Sequence, residues 1–271
     1  MEATLRRLLT FACGGEQLSA SLDEAPGAVG VLMAMGGTQT RVGSHRMYER
    51  LANTLAERDF SCFRYDRRGV GDSSGSDPGF KDSEADLEAA ADAFRSEQPQ
   101  VERVIGFGLC DGATALALHG AAARLDGLIL VNPWLVEAEA GDMAPAAVRA
   151  HYRERLLSGS AWKKLLSGGV NIGKLVGGLR KAGSSTDSSL AEQAALGLVA
   201  ARCPVAVILA TGDGTAIAAA GELKKGHFDG LIAWTGEIDT DSHTFARAGD
   251  HNALEQIVLD ALAAIGPGRS N

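Results

Sequence analysis

Residues 106–112 read Gly-Phe-Gly-Leu-Cys-Asp-Gly, so Cys110 has Gly108 two places before it and Gly112 two places after. That spacing suits a strand that turns sharply into a helix with a reactive side chain held at the bend. The backbones on either side must pass closely, and only small residues let them. The unpaired N–H groups and partial positive charge of the helix N-terminus then lie beside the sulfur. They favour the thiolate, which is the form of cysteine that attacks a carbonyl carbon. The Asp111 carboxylate pulls weakly the other way. A small buried cysteine in a glycine-rich turn has the same pattern, so the position of the motif among its neighbours must separate the two.

Such a nucleophile needs a base, and one known chain order is nucleophile, acid, then histidine. Two downstream features fit that order. Asp213 follows the apolar run PVAVILA, in the turn Thr211-Gly212-Asp213-Gly214. A carboxylate there can hold an imidazole in the right tautomer; the alternative is an aspartate that only caps the next helix, with Asp239 and Asp241 as substitutes. His243, in the segment Asp-Ser-His-Thr-Phe, is the expected base, and His251 at the start of the last helix is its rival. A tetrahedral intermediate needs two N–H donors. The expected ones are Asp111 and an amide from the loop Gly36-Gly37-Thr38-Gln39, at Gly37, Thr38 or Gln39; an ordinary turn would use the same residues.

These residues must be positioned by regular elements. Leu5 to Ala12 and Gln17 to Leu22 flank Gly14 and Gly15 as an opening antiparallel hairpin. Then strands and helices alternate. Strands are expected at Val29 to Met35, Ser61 to Tyr65, Val101 to Gly108, Gly127 to Asn132, Val205 to Thr211 and Leu231 to Trp234. Helices are expected from Ser44, a plausible cap, to Arg58, and at Ser83 to Gln98, Asp111 to Arg124, Thr215 to Lys225 and Asn252 to Ile265. That alternation predicts an α/β fold with a mostly parallel sheet of eight strands flanked by helices. The cysteine motif follows the third strand after the hairpin. Residues 133–202 are too long for a loop and contain the helical patterns AAVRAHYRERLL and SAWKKLL. They are expected to form a helical cap inserted into a core of residues 1–132 and 203–271.

Composition excludes several classes. A net charge of −8 lacks the clustered cations that phosphate binding needs, so a nucleic-acid partner is not expected. There is no long apolar run and no signal-like N-terminus, so no transmembrane segment and a cytoplasmic location are expected. The four cysteines, at 13, 62, 110 and 203, have no paired or metal-ligand spacing, and neither a metal nor a cofactor is expected. Cys13, Cys62 and Cys203 read as small core residues. Asp66, Arg67, Arg68 and Asp72 read as a turn held by ion pairs.

The segments GGTQTRVGSHR, RYDRRGVGDSSG, GFGLCDGA, LVNPW, RERLLSGSAWKKLLSGGVN and DSHTF together resemble the exosortase A system-associated hydrolase 1 family. The resemblance runs from about residue 25 to the end of the last helix. It implies an α/β-hydrolase fold encoded near exopolysaccharide and protein-sorting functions. It also points to Cys110, to His243, and to Gly36, Gly37 and Gln39 of the loop, while the turn around Asp213 departs from the family's pattern. Dienelactone hydrolases look similar in their cysteine elbow. The expected activity is hydrolysis of a small-molecule ester, thioester or lactone through an acyl-enzyme. Two alternatives stay open: transfer of the acyl group to a sugar or lipid hydroxyl, and a binding protein in which Cys110 is inert.

Overall fold

Four runs carry too few polar side chains to face water on either side, and they form the middle of the sheet. These are β3 (Val29–Ala34), β5 (Arg103–Leu109), β6 (Gly127–Val131) and β7 (Val205–Ala210). The other strands are β1 (Arg6–Cys13), β2 (Glu16–Asp23), β4 (Ser61–Tyr65) and β8 (Ile232–Ile238). In the computed structural model, which describes residues 5–136 and 188–266, they make one eight-stranded sheet in the order β1-β2-β4-β3-β5-β6-β7-β8. β1 and β2 pair antiparallel, as do β2 and β4, and every later pairing is parallel. This is the mostly parallel eight-stranded α/β sheet expected from the alternation, and it agrees with the α/β-hydrolase fold that the resemblance implies.

The helices are α1 (Met47–Ala56), α2 (Glu84–Glu97), α3 (Asp111–His119), α4 (Leu190–Ala201), α5 (Gly214–Leu223) and α6 (Asp250–Ile265). They cover both faces. Leu87 and Phe94 of α2, Leu116 of α3 and Ala194 of α4 share one core layer with Leu32, Val104 and Leu128. Leu51 and Leu55 of α1 and Leu254 and Val258 of α6 share the other with Val31, Ile105 and Ile129. None of the described helices is long and apolar enough to cross a membrane.

The order matters for function because it reverses at β3. Strand β3 has β4 on one side and β5 on the other, so the loops leaving β3 and β5 diverge and leave a crevice between them. That is where open α/β sheets bind ligands.

Several boundaries differ from the sequence expectation. Ser44 does not cap α1. It lies in a short 3-10 turn, and the helix starts at Met47 behind Arg46, whose backbone is left-handed (φ 60°). The Ser44 N–H is instead bonded to Gln39 Oε1 at 2.9 Å. Helix α3 stops at His119, earlier than Arg124. Strand β8 runs on to Ile238, because an edge strand alternates exposed and half-buried residues and shows no continuous apolar run. The two helical patterns of the expected cap, and its joints, lie outside the described residues. The end of the 133–202 interval is α4, whose Ala191, Ala194, Ala195 and Leu198 are buried in the core layer.

Candidate active site

The bend after β5 is built by close backbone contact. A Cβ on Gly108 would lie 2.7 Å from the Ala113 nitrogen, and one on Gly112 would lie 2.5 Å from the Ala34 oxygen. Both positions therefore require glycine. Between them Cys110 has φ 58° and ψ −125°, a conformation sparsely populated by L-residues. Its backbone is pinned on both sides: Cys110 N–H donates to Val131 O (2.9 Å), and Cys110 O accepts from Thr114 N–H (3.1 Å) and Trp134 N–H (3.3 Å). The cysteine ends up at the N-cap of α3, with 3% of its surface exposed.

Asp213 and His243 reach the same place from the ends of β7 and β8. The loops that carry them are tied together by Thr211 N–H to Ile238 O and Gly212 N–H to Thr240 O, each 2.9 Å. Thr240 is buried; its hydroxyl donates to Asp250 Oδ2 (2.6 Å) and accepts the Ser242 N–H (3.1 Å), anchoring the histidine loop to α6. Phe245, with φ 56°, folds back into the core layer that also holds Cys110.

Within this frame His243 Nδ1 lies 2.9 Å from Asp213 Oδ2, and the imidazole is near enough to the Cys110 side chain for the two to interact electrostatically. Burial works against a charge on His243, but the bond to Asp213 and the interactions with Asp213 and Cys110 outweigh it and raise its pKa to about 10. Asp213 is an N-cap as well as the histidine's partner: the same Oδ2 accepts the Ala216 N–H at 3.1 Å. The two readings of that residue are compatible.

The substitute residues sit elsewhere. Asp241 is half exposed and pairs with Arg247 at 2.6 Å, and Asp239 accepts only a long bond from Thr211 (3.4 Å). His251 is buried in the first turn of α6 against Glu255 (2.6 Å). Burial lowers its pKa.

The loop amides separate too. Gly37 N–H donates to Asp111 Oδ1 at 2.5 Å, and Gln39 N–H closes a turn onto Gly36 O at 3.2 Å. The Thr38 amide has no partner among the described residues, and that of Asp111, the first residue of α3, has none within its helix. The RRGVGDS turn is held by ion pairs, Arg67 with Asp77 (2.7 Å) and Arg68 with Asp86 (2.5 Å), while Arg41 bridges Asp66 and Asp72.

Burial holds the other thiols protonated, with Cys13 and Cys203 raised to about 11 and Cys62 raised well above the usual thiol range. Among the described residues no group of three or more His, Cys, Asp or Glu side chains could hold a metal ion.

Sequence reasoning missed three supporting residues. Thr240 is one. Asn132 is fully buried and ties the ends of β6 and β7 by accepting the Ala210 N–H at 2.8 Å. Tyr48, on α1, places its hydroxyl behind the cysteine bend, 3.4 Å from Ala34 O. Asn132 could have been suspected as a polar residue ending an apolar strand; Tyr48 left no signal beyond its helical stripe.

Solved structures with the same fold include an esterase from Pyrococcus furiosus (TM-score 0.67, 13% identity, 97% of this chain and 91% of that one). A dienelactone hydrolase from Anabaena variabilis is similar (0.62, 14%, 97% and 98%). So is a lidless serine hydrolase from Xanthomonas campestris (0.59, 17%, 95% and 94%). No curated protein matches the chain in sequence. The model of one family, described as serine aminopeptidase, S33, matches residues 35–177, an interval that contains Cys110 but ends before Asp213 and His243. Since that match takes in more than half of the chain and the fold agrees, the protein belongs to the S33 serine aminopeptidase family of α/β hydrolases.

Proposed function

We propose that the protein hydrolyses a carboxylic ester, thioester or lactone through an acyl-enzyme on Cys110, in a family named for a serine. The observation that carries this reading is one imidazole hydrogen-bonded to the Asp213 carboxylate and interacting with the side chain of Cys110, which sits in the strained bend at the N-cap of α3. The imidazolium stabilises a thiolate next to it. The sulfur attacks the substrate carbonyl, and the oxyanion that forms is held by the N–H groups of Asp111 and Thr38. As the tetrahedral intermediate collapses, His243 gives its proton to the leaving alcohol or thiol. It then takes a proton from water, which attacks the thioester and releases the acid with Cys110 restored. Asp213 keeps the imidazole oriented and balances its charge. No cofactor enters these steps.

The resemblance to exosortase-associated hydrolases adds acylated sugars and lipids to the substrates worth testing. The test is hydrolysis of short p-nitrophenyl esters and acyl thioesters by the wild type and by Cys110→Ala. Loss of turnover in the variant, with a trapped acyl group on Cys110 in the wild type, is expected. Equal rates would remove Cys110 from the mechanism and favour an inert, enclosed thiol on a hydrolase fold.

A further inference from the structure

We infer that the carboxylate of Asp111 and the hydroxyl of Tyr48 are positioning groups that set the oxyanion loop against the cysteine bend; this rests on the acyl-enzyme reading above. The ladder between β3 and β5 ends at Ala34 opposite Gly108. Residues 36–38 lie beyond that last rung, and two side chains act on the segment that leads into them and on the loop itself. Asp111 Oδ1 accepts the Gly37 N–H at 2.5 Å. Tyr48 Oη donates to Ala34 O at 3.4 Å, and the backbones of Gly36 and Leu109 also act electrostatically on its hydroxyl. The contact is close enough that a Cβ on Gly36 would lie 2.4 Å from Leu109 O and 2.9 Å from Asp111 Oδ1.

Asp111 thus serves twice. Its N–H faces the reacting carbonyl, while its carboxylate holds the loop that carries the opposing N–H at Thr38. A negative charge next to a thiolate nucleophile is otherwise adverse. Here a charge-assisted bond to the Gly37 amide uses that charge, and Arg67, fixed by two bonds to Asp77, faces it electrostatically. Tyr48 makes a similar case. Its ring is fully buried edge-on to Phe107, with centroids 6.0 Å apart, a contact phenylalanine would make equally well. Only the hydroxyl bonds the end of β3 that leads into the loop.

The experiment compares ester turnover with alkylation of Cys110 by iodoacetamide at neutral pH, because alkylation needs the thiolate but no oxyanion site. In Asp111→Ala, kcat is expected to fall roughly 10²-fold, the size of one lost oxyanion donor, with a much smaller change in KM. Its Cys110 should be alkylated as fast as in the wild type or faster. Asp111→Asn, whose side-chain oxygen still accepts from Gly37, should recover most of kcat, and Tyr48→Phe should lower kcat while leaving alkylation intact. Turnover that depends on Cys110 but ignores both Asp111→Ala and Tyr48→Phe overturns this inference alone, as does a parallel fall of turnover and alkylation. Turnover that survives Cys110→Ala overturns the acyl-enzyme reading and this inference with it.

Discussion

The two halves of the candidate site are held in place by different means. The cysteine half is made of backbone: Gly36, Gly108 and Gly112 leave no room for a Cβ, and the strained Cys110 peptide is pinned by Val131 and Trp134. The Asp213 and His243 half is made of side chains, where a carboxylate, an imidazole and the Thr240 hydroxyl link two loops and a helix. Rigid backbone contact specifies where the sulfur is. Hydrogen bonds between side chains specify what charge its neighbour carries. The first should therefore respond to added volume and the second to changed chemistry at constant volume.

The sharpest break is Gly112→Ala. Its new methyl group would press on the Ala34 and Met35 backbone, so we expect a loss of about 3 kcal/mol or more in urea unfolding, together with loss of activity. A variant as stable as the wild type would show that this half is not set by close contact.

Next comes His243→Gln, which should lower kcat/KM by roughly 10³-fold while thermal melting moves only a little. Unchanged turnover would dissolve the distinction by making the side-chain half dispensable.

Asp213→Asn sharpens the comparison, because asparagine still caps α5 but carries no charge. Activity should fall by about 10²-fold or more with little change in stability. The pH dependence gives a second readout. In the wild type the folded-state pKa of His243, about 10, lies above its ordinary value of about 6.5. A group raised in this way adds stability that is fully present below the lower value and is lost as pH rises towards the upper one. The wild type should therefore lose stability between those two limits, and Asp213→Asn should lose less. Parallel stability curves for the two proteins would contradict the charge coupling.

The smallest effect is expected for Thr240→Val, which removes the hydroxyl between Asp250 and Ser242. A loss of about 1–3 kcal/mol is expected, since buried partners are left unpaired, with a drop in kcat that alkylation of Cys110 does not share.

The cysteine half was legible in the sequence because its determinants are local. Glycines at fixed distances around one cysteine, between an apolar run and a helix, describe their own geometry. The strand and helix alternation was legible for the same reason, since a buried strand announces itself by lacking polar residues. Edge strand β8 did not, and its end was misjudged, because half-exposed residues carry no such mark.

From the residues alone follow the fold class and the bend at Cys110. Tertiary structure decided the remainder. It separated Asp213 from Asp239 and Asp241, His243 from His251, and the Thr38 amide from those of Gly37 and Gln39. It also brought Tyr48 and Asn132 behind the site. The physical reason is range: glycine sterics and apolar periodicity act within a few residues, whereas hydrogen-bond partners 30 residues apart, as Asp213 and His243 are, are chosen by which strand ends the sheet sets side by side.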